Sequence, residues 1–149
     1  MLRRAPKTAE QVGLAVTVVV GIDLQSIDVV RDSLARFGDR YRRRLYSDRE
    51  LEECETNPEN MANGLAVRFA AKEAVLKVLR PNDHIPSWRT IEIQLSPRGG
   101  PKVVLTGEAE SLARQRGVEK MSLSVSLGRE YAIATVIADV TRNESEEHV

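Results

Sequence analysis

Apolar positions along the chain fall into runs with different periods, and each run predicts an element. Residues 15–24 (Ala-Val-Thr-Val-Val-Val-Gly-Ile-Asp-Leu) are continuous and β-branched, which predicts a strand buried on both faces. Ser26 is placed to cap a helix over Ile27 to Phe37, stopped by Gly38. Ser47-Asp48-Arg49-Glu50 has the form of a capping box and predicts a short helix to about Glu55. Asn57 and Pro58 predict the start of a long helix that runs to Arg80, with Pro81 ending it. Ile91, Ile93 and Leu95 alternate with polar residues, which predicts a strand over Thr90 to Leu95. A turn over Ser96 to Pro101 leads to its hairpin partner, Lys102 to Thr106. Glu108 to Arg116 reads as a helix ended by Gly117. Met121–Leu127 and Tyr131–Ala138 read as two strands joined at Gly128-Arg129. The order β-α-α-α-β-β-α-β-β predicts an α+β fold rather than a doubly wound sheet. The domain is expected over 12–140, between a flexible arm (1–11) and an acidic, disordered tail (141–149).

The long helix is apolar nearly all round, as buried helices are, yet it carries five charges. Glu73, Lys77 and Arg80 fall on one arc, and Arg68 and Lys72 on a neighbouring arc. Charges in such a setting need partners. Glu73 and Lys77 at i and i+4 form a helix-stabilising pair worth about 0.2–0.5 kcal/mol. That accounts for Lys77 and leaves the other charges unexplained.

Composition narrows the chemistry. The chain has 149 residues, 42% hydrophobic and 30% charged, with zero net charge. This suits one globular domain, and bulk charge gives no reason to expect nucleic acid or membrane as a partner. Cys54 is the only cysteine, so no internal disulfide forms and a reducing, cytoplasmic setting is expected. Two histidines, His84 and His148, give no basis for a zinc cluster. Arg3, Arg4 and Lys7 ahead of the run Val12–Val20 superficially resemble a signal peptide. Glu10 and Gln11 interrupt the approach and no small-x-small cleavage site follows. Asp23, at the end of the first strand, suits a cap, a turn former or a ligand. With Glu73 it offers two hard oxygen donors, the number a magnesium site commonly uses when water and substrate phosphates complete the shell. Nearby cations would complement phosphate charge, as phosphoryl-type transfer needs.

Gly21-Ile22-Asp23-Leu24, then Phe69-Ala70-Ala71-Lys72-Glu73-Ala74 with Lys77 four residues on, then Gly99-Gly100-Pro101, then Ser124-Val125-Ser126 before Tyr131-Ala132, together resemble the holo-acyl-carrier-protein synthase family, the small 4′-phosphopantetheinyl transferases. The resemblance covers about residues 17–138, in order. It implies an antiparallel sheet packed around a long central helix. It implies transfer of the phosphopantetheine arm of coenzyme A to a serine of an apo acyl carrier protein, with release of adenosine 3′,5′-bisphosphate. Asp23 and Glu73 match the family's magnesium ligands. Glu73, directly or through a metal-bound water, would help deprotonate the serine, and Lys77 would neutralise the phosphate. Contacts to coenzyme A are implied at Asp23, Arg68, Lys72, Lys77, Arg80, Pro101 and Ser126. Carrier docking is implied at Arg31, Arg36, Arg40, Tyr41 and Arg44. A homotrimer with sites at subunit interfaces is implied as well.

Four positions depart from the family pattern. Leu127 stands where a histidine is usual; it continues the alternation of Met121, Leu123 and Val125 and is expected in the core. Arg80 stands where glycine is common, Val29 where arginine is frequent, and Gly100 where a basic residue usually separates Gly99 and Pro101. The first reading is a transferase, serving a fatty-acid or secondary-metabolite (polyketide) carrier. The alternative is a degenerate homologue that binds carrier proteins or has been repurposed. The basic run Arg40 to Arg44 leaves a solvated face or an RNA patch as further readings.

Overall fold

The computed structural model describes residues 14–143. The expected arm (1–11) and residues 144–149 of the expected tail lie outside the described residues.

Three antiparallel strands form one sheet in the order β1 (Leu14–Ser26), β5 (Tyr131–Asn143), β4 (Val118–Leu127). β1 pairs with β5 from Leu14↔Asn143 to Ser26↔Tyr131. Residues 141–143, expected in a disordered tail, therefore belong to the central strand, because β1 supplies partners that far. β2 (Ile91–Ser96) and β3 (Gly100–Leu105) form a separate hairpin.

The helices are α1 (Ile27–Phe37), α2 (Asp39–Leu45), α3 (Asp48–Glu55), α4 (Met61–Leu79) and α5 (Gly107–Gln115). Ser26 caps α1 through the Val29 N–H, and Ser47 with Glu50 forms the expected capping box of α3. The basic segment after Gly38 is a helix, α2, which its charge pattern concealed. Its last turn holds Arg42, Arg43 and Arg44, which suit the negative end of the helix dipole. Arg42 pairs with both Asp39 and Glu55. Pro58–Asn60 is a short 3-10 turn rather than the first turn of α4, and Asn57 makes no side-chain cap. α4 stops at Leu79, before Pro81, with Arg80 as a left-handed cap.

α4 lies against one face of the sheet. Its Ala70, Ala71, Ala74, Val75, Val78 and Leu79 are buried with Ala134, Val136 and Ala138 of β5 and Ile91 and Ile93 of β2. Its N-terminal half packs Leu65, Ala66 and Val67 against Ile27, Val30, Tyr46 and Leu51. The small side chains allow helix and sheet to approach closely. The strongest case is Gly21, where a Cβ would sit 2.1 Å from the carbonyl oxygen of Ala74. A glycine inside a β-branched run marks such an approach.

β1 is not buried on both faces. Val16, Val18, Val20, Ile22 and Leu24 are each 55–63% exposed on the side away from α4. Ile133 and Ile137 of β5 join them. Strand alternation puts residues 19, 21 and 23 toward the helix and leaves this continuous apolar face open.

Candidate active site

The contact of Gly21 with Ala74 brings two distant parts of the chain together. Asp23 is two residues past Gly21 on the same face of β1, and Glu73 and Lys77 flank Ala74 on α4. The Lys77 Nζ donates to Asp23 Oδ1 at 3.0 Å and to the Ile22 carbonyl at 2.5 Å. Asp23 is largely covered, while the Lys77 side chain is half open. Glu73 is partly buried. Burial raises its carboxyl above the ordinary value, the negative charge of Asp23 raises it further, and Lys77 pulls it back. Asp23 and Glu73 thus share one electrostatic site.

This donor set fits magnesium. Two carboxylates lie close enough to repel one another beside the half-exposed Lys77, and that repulsion favours a cation between them. Among the described residues no group of three or more potential metal-ligating side chains occurs. Two protein donors leave the remaining positions to water and phosphate oxygens.

Lys72 and Arg68 do not join the site, which corrects their expected placement around coenzyme A phosphates. Lys72 is fully buried. Its ammonium lies 2.8 Å from Glu50 and donates to the carbonyls of Trp88 (2.9 Å) and Ile91 (2.6 Å). Burial lowers its pKa, and Glu50 opposes that shift. Glu50, also fully buried, further accepts from the N–H groups of Ser47 (2.7 Å) and Ile93 (2.8 Å). Arg68 is 4% exposed. It donates to Glu53 at 2.6 Å, to the Gly64 carbonyl at 3.1 Å and to Cys54 Sγ at 3.2 Å. The physical reason is geometric: their arc of α4 faces α3 and β2, so their charges are neutralised inside. The sequence reading missed Glu50 as a partner because its capping-box role already accounted for it.

Ser126 alternates onto the open face of the sheet, opposite Ile133, which in turn pairs with Leu24. Asp23 points to the α4 side, so one chain does not bring Ser126 and Glu73 together. Pro101 lies in β3 opposite Leu95. Gly100 has φ +70°, a conformation that favours glycine over the basic residue of the family pattern. Leu127 is 50% exposed, which corrects its expected place in the core. It ends β4 at the sheet's corner, beside the turn to β5.

On α1 and α2, Arg31, Arg36, Arg40 and Arg44 are all exposed. Arg31 pairs with Asp28, and Arg36 lies 5.5 Å from the centre of the Phe37 ring. Val29 and Phe37 are exposed apolar residues on the same helix. Tyr41 is half-buried. Its hydroxyl meets that of Tyr46 at 3.3 Å and its ring packs edge-on at 6.0 Å, so part of this residue serves the core.

Comparison with known proteins is consistent across sequence and structure. Residues 19–136 match the model of the 4′-phosphopantetheinyl transferase superfamily. The holo-[acyl-carrier-protein] synthase of Koribacter versatilis is 35% identical over 80% of this chain and 95% of its own length. That of Chlamydia trachomatis is 40% identical over 80% of this chain and 98% of its own. An ACPS–CoA complex from Chronobacterium ammoniagenes superposes with a TM-score of 0.74 at 28% identity, covering 85% of this chain and 99% of that one. The Helicobacter pylori holo-[acyl-carrier-protein] synthase in complex with coenzyme A gives a TM-score of 0.66 at 28% identity, with 83% and 100% covered.

Proposed function

The chain belongs to the 4′-phosphopantetheinyl transferase superfamily, and we propose the following account of how it works within it. It is a holo-[acyl-carrier-protein] synthase: it transfers the phosphopantetheine arm of coenzyme A to a serine of an acyl carrier protein. The observation that carries the site assignment is the convergence of Asp23, Glu73 and Lys77 around Gly21.

Glu73, set on α4 beside Asp23 and Lys77, is the proton acceptor for the serine hydroxyl. The serine oxygen attacks the phosphorus that bears pantetheine, and the bond to the other phosphate breaks. Adenosine 3′,5′-bisphosphate leaves. Lys77, now at Asp23, is positioned to exchange that partner for the pyrophosphate and offset its growing charge. Asp23 and Glu73 are the residues to hold magnesium, which when bound would neutralise and orient the pyrophosphate. Arg80, Pro101 and Ser126 complete the coenzyme A contacts in this reading.

The open apolar face of β1 and β5 supports an interface between copies of this chain, as the implied homotrimer needs. A contiguous patch of this kind on a free surface is characteristic of an interface. Ser126 lies on that same face, opposite Ile133, where a docked second subunit would reach it. The exposed arginines of α1 and α2 suit an acidic carrier protein, whether of fatty-acid or polyketide synthesis. The reduced, buried Cys54 suits a cytoplasmic location, and no helix among the described residues is long and apolar enough to cross a membrane. A carrier-binding module without chemistry would have no use for the retained carboxylate pair and lysine.

The test is to incubate the protein with coenzyme A, magnesium and apo carrier proteins, and to weigh the carriers by mass spectrometry. The expected result is the addition of one phosphopantetheine, abolished by chelation. Carrier binding without mass gain would support the degenerate-homologue reading instead.

A further inference from the structure

The ammonium of Lys72 has three N–H donors, and each has an acceptor in reach. Glu50 of α3 lies at 2.8 Å, the Trp88 carbonyl at 2.9 Å and the Ile91 carbonyl of β2 at 2.6 Å. Glu50 carries the connection onward, since its two oxygens also accept from the N–H groups of Ser47 and Ile93. The centre of the Tyr46 ring is 5.6 Å from the ammonium. Phe69, one turn earlier on α4, packs against the ring of Trp88 at 5.2 Å. One stretch of α4 is thus keyed to α3, to the turn before β2 and to β2 itself.

Stability alone does not call for this arrangement. Well-packed apolar side chains of similar volume are often as stabilising as a buried ion pair, or more so. What they lack is direction. The neighbouring core positions of α4 supply little of it: Ala70, Ala71 and Ala74 are small, and shallow ridges do little to fix the rotation of a helix. Glu73 follows Lys72 directly, about 100° round the helix, and its carboxyl feels Asp23 and Lys77. Ala74 follows in turn, and its carbonyl is the group that Gly21 abuts. Glu73 therefore stands between two ties, one to α3 and β2 through Lys72 and one to β1 through Ala74. The Gly21 contact sets how closely α4 approaches β1, and the Lys72 contacts set which way α4 is turned. Side chains reach about 5–6 Å from a helix axis, so a rotation of about 20° would carry the Glu73 carboxylate about 2 Å.

We propose that Lys72 and Glu50 are positioning residues for the transfer reaction: their buried ion pair fixes the rotation of α4 so that the Glu73 carboxylate faces Asp23. This rests on the transferase reading and deepens it. Both side chains are fully buried, so they act through Glu73 and not on the substrate. A misplacement of about 1 Å at a reacting group can slow a reaction roughly 100-fold.

The test is a double-mutant cycle. Glu50→Gln with Lys72→Met removes both charges together, and Glu50→Asp keeps the charge but shortens its reach. Each is made with and without Glu73→Gln. Turnover is measured with coenzyme A, magnesium and one apo carrier, at a temperature where circular dichroism shows the variant folded. With Glu73 present, kcat should fall roughly 10- to 100-fold. In the Glu73→Gln background it should fall no further, because the pair acts through that residue. The loss in melting temperature should be the same in both backgrounds. Equal fold-losses of turnover in the two backgrounds overturn the proposal, since a general loosening of the fold would produce them. An unchanged kcat with Glu73 present overturns it as well. Manganese(II) binding, read by electron paramagnetic resonance without coenzyme A, gives a second cycle on the same carboxylates. Affinity should weaken roughly 10-fold or more with Glu73 present and stay level without it. If the parent transfers nothing, the transferase reading fails while the manganese cycle still decides the role of Lys72 and Glu50. Equal manganese affinity across the variants overturns that role.

Discussion

The Lys77 ammonium on α4 lies 3.0 Å from the Asp23 carboxylate on β1, across 54 residues of chain. The pair stands beside Glu73, whose carboxyl feels both of its charges. In the proposed mechanism a phosphate at this site would replace Asp23 as the partner of Lys77.

Glu73 should titrate as a member of this group. Its carboxyl is raised first by burial and then by Asp23. The native state thus binds this proton more tightly than the unfolded chain, so Glu73 lowers stability progressively as pH rises from the ordinary carboxylate range through the raised value. Glu73→Gln should be at least as stable as the parent at neutral pH, an advantage that disappears below a pH of about 4. It should lose transfer roughly 10²–10⁴-fold. In metal-free protein, NMR titration should find Glu73 lower in Asp23→Asn and higher in Lys77→Met. An unmoved Glu73 in Asp23→Asn would separate the two carboxylates.

The buried pair of Lys72 and Glu50 should behave as structure, not as a phosphate contact. Lys72→Met leaves Glu50 buried without its cation and should cost about 3–5 kcal/mol in denaturant melts. Glu50→Gln combined with Lys72→Met should recover part of that loss. Equal stability of Lys72→Met and the parent, with weakened coenzyme A binding, would return Lys72 to the ligand site.

Gly21→Ala tests the approach of strand to helix. Its new Cβ would meet the Ala74 carbonyl at 2.1 Å, so β1 and α4 must separate. Overpacking of this kind should destabilise by about 1–3 kcal/mol or more. It should also reduce transfer beyond the stability loss, because Asp23 moves away from Glu73. A folded Gly21→Ala protein with full turnover would show that the spacing is not needed.

Val20 and Ile133 lie on the open sheet face, 55% and 42% exposed. Val20→Lys or Ile133→Glu should convert an assembled form to monomers in light scattering, with unchanged circular dichroism and lost transfer. A monomeric parent with full activity would remove the interface from the mechanism.

Much of this molecule is legible in its residues. The capping box at Ser47–Glu50, the cap at Ser26, the β-branched run of β1 and the alternation of β2 are local signals, and local propensity places them correctly. Asp23, Glu73 and Lys77 also stand out in the sequence, as charges in apolar runs. Whether those charges meet is a different matter. Periodicity put Arg68 and Lys72 beside Glu73 but could not say which arc faces Glu50 and Glu53, because those partners come from α3 and only packing brings them in. It read β1 as doubly buried, since a continuous apolar run looks the same whether its second face meets a helix, a sheet or another subunit. It could not see that Gly21 abuts Ala74. That contact is a distance between backbones far apart in sequence, and it alone brings Asp23 to Glu73.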